Sequence, residues 1–267
     1  MRINSFILEG NFNKMTDLSV ILPVYNGESF IEENIVSLSG YLKRNSLLYE
    51  IIVVDDGSTD NTADIITKQK SAKIHPVILP KNHGKGFAVK FGMSVACGRC
   101  RMFMDADLPF DLEVIIYSAG IILNRKFHVV VGDRSLKESI YHSKLGFVRK
   151  LASLCFLFFT RTIVTGGVFD TQCGFKAFRS DIATELFPLL SCSGFEFDVE
   201  LFYIALKYNM EIKNVPVRLQ DINKSSVKPF INGISMMINI LSLRRNWLNG
   251  EYDSSNLHDI CEINYWE

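Results

Sequence analysis

The stretch Ile51-Ile52-Val53-Val54-Asp55-Asp56 decides the fold class, because it carries a short apolar run directly into a pair of carboxylates. Further along the chain, Met102-Phe103-Met104-Asp105-Ala106-Asp107 repeats this arrangement. Short apolar runs bounded by polar residues are typical of buried parallel strands, and open α/β sheets bind ligands at the carboxyl ends of their strands. Two acidic strand ends therefore predict a site for a nucleotide diphosphate and its metal ion, although Asp is also common in ordinary loops after strands.

Strand and helix patterns alternate over the first half of the chain, which predicts a doubly wound, Rossmann-like and mostly parallel sheet with helices on both faces. Ser29-Phe30-Ile31-Glu32 fits a capping box, and Asp60 or Asn61 is expected to cap the next helix, with Asp60 favoured. The first helix should bury one face made of Ile31, Ile35, Leu38 and Leu42. The expected parallel strands are Leu18–Val24, Ile51–Val54, Val77–Leu79, Met102–Met104 and Val129–Val131.

The rhythm changes after Gly132. A helical stretch around Leu145–Val164 is followed by a short strand at Phe175–Phe178, a helix at Phe197–Tyr208 and a strand at Ile212–Leu219. We expect an N-terminal extension over residues 1–17, one α/β domain over 18–225, an amphipathic helix over 226–250 and a polar, loosely held tail over 251–267.

Two apolar segments are too short and too closely flanked by charge to span a bilayer. Leu151–Thr160 follows Arg149 and Lys150, and Phe230–Leu243 runs into a segment that carries Arg and Trp. This pattern suits a helix that lies in a membrane interface, which would place the protein peripherally at the cytoplasmic face of a membrane. Core helices, or helices that form a homodimer, explain the pattern equally well.

Composition excludes some classes of function. The formal net charge is zero, so nothing in the overall charge favours nucleic acid as a partner. Six cysteines are scattered without a second Cys-x-x-Cys pair, which indicates reduced thiols in a cytosolic protein rather than a cysteine metal site. The N-terminal residues lack the apolar core of a signal peptide.

Seven motifs occur in a fixed order along the chain, and most of them fall at the ends of expected strands. The first four lie in the alternating half, and the other three follow the last expected parallel strand. They are Pro23-Val24-Tyr25-Asn26, Val53–Asp60, Asn82-His83-Gly84-Lys85-Gly86, Asp105-Ala106-Asp107, Gly132-Asp133-Arg134-Ser135, Asp170–Lys176 and Phe195–Leu201.

This ordered set resembles family 2 glycosyltransferases of the GT-A fold, and the last three motifs resemble the dolichyl-phosphate glucosyltransferase and polyprenyl-phosphate hexose synthase branch. The resemblance covers roughly Leu18 to Leu243. One departure is that many relatives have an acidic residue directly after the Tyr-Asn pair, where this chain has Gly27 followed by Glu28.

The resemblance implies a donor site built from the first motifs. Asp55 and Asp56 are expected to contact the base and ribose of the nucleotide. Tyr25 offers a ring face to the base or packs beneath its own loop. Pro23 and Glu28 belong to the same turn, at the N-terminus of a helix where an anionic ligand is favoured.

The diphosphate and the metal are expected beside the next two motifs. Lys85 can reach the diphosphate, and the flanking glycines allow the backbone to approach a ligand closely. Asp107 is the expected direct metal ligand, and Asp105 is expected to contact the sugar or ribose or to share the metal. Oxygen ligands together with phosphate favour Mg²⁺ or Mn²⁺.

The acceptor phosphate needs cations of its own. Arg134 can grip a phosphate in a bidentate way, and Arg149 lies where a lipid headgroup would arrive. Gln172 belongs to a family motif near the donor sugar. Asp198 or Glu196 contacts a substrate, acts as a general base for an alcohol acceptor, or simply complements a helix dipole.

The sequence therefore predicts an inverting, metal-dependent transferase that moves a hexose, with glucose from UDP-glucose favoured, onto a polyprenyl or dolichyl phosphate. One alternative keeps the nucleotide-sugar donor but transfers to a sugar hydroxyl in polysaccharide or glycolipid assembly. A second alternative is a catalytically silent scaffold on the GT-A fold.

Overall fold

Seven strands form the central sheet of the protein. The computed structural model describes residues 16–139, 170, 173–194, 196–219 and 242–262. The strands are β1 (Leu18–Val24), β2 (Tyr49–Asp55), β3 (Ile74–Ile78), β4 (Cys100–Met104), β5 (Val129–Asp133), β6 (Phe175–Arg179) and β7 (Ile212–Pro216).

The strand order is β3-β2-β1-β4-β6-β5-β7, and every strand except β6 runs in the same direction. The register pairs Val24 with Asp55 at the carboxyl ends of β1 and β2. Because β6 is antiparallel, its first residue, Phe175, pairs with Met104, the last residue of β4. The start of β6 therefore meets the carboxyl ends of the other strands at one edge of the sheet.

Helices cover both faces of the sheet, as the alternation predicts. The helices are α1 (Ile31–Lys43), α2 (Thr62–Lys68), α3 (Lys85–Val95), α4 (Glu113–Leu123), α5 (Ser180–Leu189), α6 (Phe197–Lys207) and α7 (Ser255–Glu262). One hydrophobic cluster places α3, α5, α6 and α7 on the face that carries Ile21 and Phe103. A second cluster places α1, α2 and α4 on the face that carries Val20 and Met102.

The predicted α/β class is confirmed, and the first helix buries the expected face of Ile31, Ile35, Leu38 and Leu42. Two predictions within the alternating half of the chain are wrong. Phe30, not Ser29, occupies the N-cap of α1, and no side chain bonds there, because the amides of Phe30 and Ile31 donate to the Gly27 carbonyl.

The second error concerns β3, which covers Ile74–Ile78 and not Val77–Leu79. The strand begins earlier because Ile51 pairs with Ile74 and Ile52 with His75, so backbone pairing with β2 extends through polar positions. Backbone pairing, and not the apolar run Val77-Ile78-Leu79, therefore sets where this strand begins and ends.

Residues 251–262, the described part of the expected tail, pack against the core. Tyr252 and Leu257 are 1% and 0% exposed and belong to the same cluster as α5 and α6. The interpretation of a loose tail was wrong because the segment, although polar on average, supplies two large apolar side chains to the core.

The two apolar segments predicted for a membrane interface lie almost wholly outside the described residues. Leu243, at the end of the second, is buried against the sheet cluster. Within the described ranges, no helix is both long enough and apolar enough to cross a bilayer. The described cysteines are all free thiols, in agreement with the reduced state predicted.

The close packing of α3 on β1 requires a residue without a side chain at Gly92. A Cβ at this position would lie 2.5 Å from Cγ2 of the buried Ile21, so we expect Gly92→Ala to lower the free energy of unfolding by roughly 1–3 kcal/mol. Gly120→Ala in α4 is the matched control, because nothing lies within 4 Å of its added methyl group and helix propensity favours Ala by about 1 kcal/mol. Urea unfolding measures both, and equal effects would contradict the proposed packing.

Candidate active site

The predicted site residues gather at the carboxyl edge of the sheet. Asp55 ends β2, Asp105 follows β4, and Lys85 is the first residue of α3. The Nζ atom of Lys85 lies 2.5 Å from Oδ1 of Asp105, with the lysine side chain 18% exposed. Burial lowers the pKa of Lys85, but the charges of Asp105, Asp198 and Asp107 outweigh this effect and raise it above its usual value.

Asp107 lies in the same group of charges. Burial, followed by the negative charge of Asp105, raises the pKa of Asp107 to about 6. A buried carboxylate beside a second negative charge marks a place where a cation is favoured.

The donor set fits a hard divalent cation that takes its remaining ligands from a substrate. Asp105 and Asp107 supply carboxylate oxygens, which Mg²⁺ and Mn²⁺ prefer. Among the described residues, no three His, Cys, Asp or Glu side chains form a complete metal cage. A metal held here by two carboxylates would therefore keep positions open for phosphate oxygens.

Gly174 leaves room for the Asp105 carboxylate. A Cβ at Gly174 would lie 1.9 Å from Oδ2 of Asp105, so any side chain there would displace the carboxylate. The Asp105 amide also donates to the Gly174 carbonyl at 3.1 Å. The antiparallel strand β6, which begins at the next residue, thus fixes the position of Asp105.

Asp56 and Asp55 hold loops in this structure. The two carboxylate oxygens of Asp56 accept the amides of His83 and Gly84, both at 2.8 Å, and so fix the loop that carries Lys85. Asp55 accepts the hydroxyl and the amide of Ser58, and burial raises its pKa. Both side chains lie at the expected edge, and the nucleotide contacts implied for them stay predictions.

The turn after β1 presents Tyr25 to solvent, with 48% of the residue exposed. Pro23 lies within β1, opposite Val54. Glu28 accepts both the amide and the side-chain nitrogen of Asn61 at 3.0 Å. Glu28 therefore links this turn to the loop before α2, whereas the ring of Tyr25 remains accessible to a ligand.

Asn61 occupies the N-cap of α2, and its side chain makes no capping bond. The preceding residue, Asp60, binds the start of the helix instead: its Oδ1 accepts the amide of Thr62, the first residue of the helix, at 3.0 Å, and its Oδ2 accepts the amide of Glu28 at 3.2 Å. One carboxylate thus joins the start of α2 to the turn after β1.

Sequence reasoning missed Lys176. This lysine is fully buried in β6, and its Nζ lies 2.7 Å from Oδ1 of Asp198 and 2.9 Å from the Cys173 carbonyl. The rings of Phe103 and Phe202 flank the ammonium at 5.2 and 5.5 Å. The sequence signal for this buried ion pair was a lysine among the apolar residues of the expected strand Phe175–Phe178. A charged side chain that is buried in such a strand requires a partner of opposite charge.

Arg134 follows β5 at the same edge and is bound to Asp170. Its Nε and one terminal nitrogen donate to the two carboxylate oxygens at 2.7 and 2.8 Å. Burial raises the pKa of Asp170, but the hydrogen bonds and charge of Arg134 outweigh it and lower the pKa below its usual value. The expected residues Arg149 and Gln172 lie outside the described residues.

The family model for glycosyl transferase family 2 matches residues 19–187, which contain Lys85, Asp105, Asp107 and Arg134. The chain belongs to glycosyl transferase family 2. This confirms the resemblance seen in the ordered motifs and identifies the chain as a nucleotide-sugar-dependent glycosyltransferase.

Its sequence relatives place it in the predicted branch of the family. It is 36% identical over 246 residues to the dolichyl-phosphate beta-glucosyltransferase of Dictyostelium discoideum, a match that covers 87% of this chain and 75% of that protein. The human dolichyl-phosphate beta-glucosyltransferase is 31% identical, with coverage of 88% and 77%.

Solved structures confirm the fold. Glucosyl-3-phosphoglycerate synthase from Mycobacterium tuberculosis, in complex with UDP, superposes with a TM-score of 0.62 at 21% identity and covers 85% of this chain and 80% of that one. Mannosyl-3-phosphoglycerate synthase from Rubrobacter xylanophilus gives a TM-score of 0.63 at 17% identity, with coverage of 90% and 77%.

The raised pKa of Asp107 predicts a pH-dependent stability of the metal-free protein. The folded state binds the proton with a pKa of about 6 and the ordinary value is 3.8, so stability falls as the pH rises through this window and stays reduced above it. Asp107→Asn should therefore be more stable than the parent protein at pH 7, with a smaller difference near pH 4.

Urea unfolding in the presence of a chelator measures this difference. Asp64→Asn, which removes an exposed carboxylate in α2, is the control and should leave the profile unchanged. A difference between Asp107→Asn and the parent that is constant with pH would refute the assignment.

Proposed function

We propose that the protein transfers glucose from UDP-glucose onto dolichyl phosphate or a related polyprenyl phosphate, with inversion at the anomeric carbon. The observation that carries the proposal is the cluster of Lys85, Asp105 and Asp107 at the carboxyl edge of a family 2 sheet. The dolichyl-phosphate beta-glucosyltransferases among its relatives support this acceptor and sugar.

The carboxylates and the lysine at the carboxyl edge of the sheet support a nucleotide-sugar donor, and structural neighbours support UDP-glucose. Glucosyl-3-phosphoglycerate synthase from Mycobacterium tuberculosis has been solved with Mn²⁺ and UDP-glucose, and it shares this fold with a TM-score of 0.61. By analogy, Asp105 and Asp107 hold Mg²⁺ or Mn²⁺ here, and Lys85 contacts the diphosphate.

Catalysis then depends on stabilising the departing nucleoside diphosphate. A bound divalent cation neutralises charge that develops on the leaving phosphate oxygens. Lys85 adds a second positive charge whose position is fixed before reaction, because its loop is held by Asp56. Tyr25, exposed at the next turn, is available to stack on the uracil ring.

A phosphate acceptor suits the described residues better than an alcohol does. A phosphate oxygen is already negatively charged at neutral pH and attacks without a protein base, so positioning is the main requirement. Asp198, the predicted base for an alcohol, is 3% exposed and is paired with Lys176. Arg134, with its side chain 32% exposed at the same edge, is the proposed contact for the acceptor phosphate.

The lipid acceptor also implies contact with a membrane. We propose peripheral association at the cytoplasmic face, through the apolar segments Leu151–Thr160 and Phe230–Leu243, with Arg149 near the headgroup. The same segments would serve a homodimer. Trp247, which follows the second segment, packs on the rings of Tyr203 and Tyr208.

A transfer assay with radiolabelled UDP-glucose, Mn²⁺ and a short polyprenyl phosphate in detergent tests the proposal. We expect metal-dependent label in the lipid product, and a fall of roughly 100-fold or more for Asp107→Asn, because the substitution removes a charge that holds the metal. Asp64→Asn should retain the parent rate. Hydrolysis of UDP-glucose without any lipid product would contradict the proposed acceptor.

The same assay distinguishes the two classes of acceptor. With a lipid phosphate, Arg134→Met should raise the KM for the lipid more than Asp198→Asn does, provided both variants remain folded. A sugar-alcohol acceptor that is glycosylated faster, and that depends on Asp198 or Glu196, would favour transfer to a hydroxyl.

A further inference from the structure

The loop over residues 191–194 packs directly against the start of α3, which carries Lys85. The amide of Phe87 donates to the Ser193 carbonyl at 3.2 Å. A Cβ at Gly84 would lie 2.5 Å from the same carbonyl oxygen, so two backbones touch without an intervening side chain. Lys90, one turn later in α3, donates to the carbonyls of Pro188 and Leu190 at 2.9 and 2.7 Å.

Glu200 holds this loop from its other side. Its side chain in α6 is fully buried, and its two oxygens accept the Ser191 amide at 3.0 Å each. They also accept the Ser191 hydroxyl at 2.5 Å and the Cys192 amide at 2.8 Å. A buried carboxylate needs such donors, since an unsatisfied charge in the interior is costly.

The C-terminal segment completes the set of donors. The hydroxyl of Tyr252 donates to Oε1 of Glu200 at 2.8 Å, and Tyr252 itself is only 1% exposed. Asn246 donates to the Tyr252 hydroxyl at 3.2 Å, and the Tyr208 hydroxyl donates to the Tyr252 carbonyl at 2.7 Å. The segment predicted to be a loose tail thus contributes a buried hydrogen-bond donor to the core.

We propose that Glu200 and Tyr252 are positioning residues for the donor nucleotide. Tyr252 orients the Glu200 carboxylate, Glu200 holds the 191–194 loop, and this loop fixes the backbone around Lys85. Asp56 accepts the His83 and Gly84 amides, so one buried carboxylate holds the lysine loop directly and a second, Glu200, holds it through the 191–194 loop. This inference rests on the proposed function, in which Lys85 contacts the donor diphosphate.

A change at Tyr252 can reach the loop that carries Lys85, because direct contacts link Tyr252, Glu200, the 191–194 loop and that loop. Tyr252 bonds to Glu200 within the core, Glu200 bonds to the amides of Ser191 and Cys192, and a methyl group at Gly84 would clash with the Ser193 carbonyl. Removing one donor leaves a charged oxygen of Glu200 less satisfied, and the 191–194 loop is the part of its shell that can rearrange. The Lys85 loop then loses support on one side.

The test compares Tyr252→Phe with Tyr49→Phe. The control also removes the hydroxyl of a buried tyrosine, one that bonds to Ser39 on the opposite face of the sheet. Calorimetry with UDP and Mn²⁺, well below both melting temperatures, measures nucleotide affinity, and hydrogen exchange at the Phe87 amide reports the contact with Ser193. We expect Tyr252→Phe to weaken UDP binding by about three- to tenfold and to speed this exchange.

Tyr49→Phe should change neither quantity, even if it lowers the melting temperature by the same amount. Ser191→Ala removes one neutral donor to Glu200 and serves as the second variant should Tyr252→Phe fail to fold; it should shift both readouts in the same direction. Unchanged UDP affinity in these variants, with or without faster exchange, would overturn the inference. Absence of UDP binding by the parent protein would instead defeat the proposed function.

Discussion

Mutual neutralisation of opposite charges at one edge of the sheet is the constraint on which the rest of the structure depends. Lys85 is paired with Asp105, and the fully buried Lys176 is paired with Asp198. Removing either partner of the buried Lys176–Asp198 pair would leave an uncompensated charge, at a cost of about 3–5 kcal/mol. The antiparallel β6 meets this constraint, because it brings Lys176 and the small Gly174 between β4 and β5.

The fold was predictable where the pattern is local. Apolar runs ending in Asp55 and Asp105 located the buried strands, and the spacing of Ile31, Ile35, Leu38 and Leu42 located the face of α1. The docking of Tyr252 was not predictable, since its partner Glu200 lies 52 residues away. Long-range pairing between polar groups leaves no periodic signal in a sequence.

Part of the candidate site was also predictable from local sequence patterns. Lys85, Asp105 and Asp107 were found because each follows a strand or opens a helix within an ordered motif. Lys176 belongs to one of those motifs but was not assigned, because a lysine in a strand is ordinarily expected to be exposed. Asp56 shows that an aspartate at a strand end can either contact a ligand or hold a neighbouring loop. The sequence predicts a nucleotide contact, and in this structure the carboxylate binds the amides of His83 and Gly84.

A crystal structure of the protein with Mn²⁺ and UDP-glucose tests the central claim most directly. The account predicts electron density for the metal on Asp107, with Asp105 in its shell or beside the sugar, the diphosphate within reach of Lys85 Nζ, and the 191–194 loop still bonded to Glu200. A nucleotide bound elsewhere, or a metal held without either carboxylate, would contradict it.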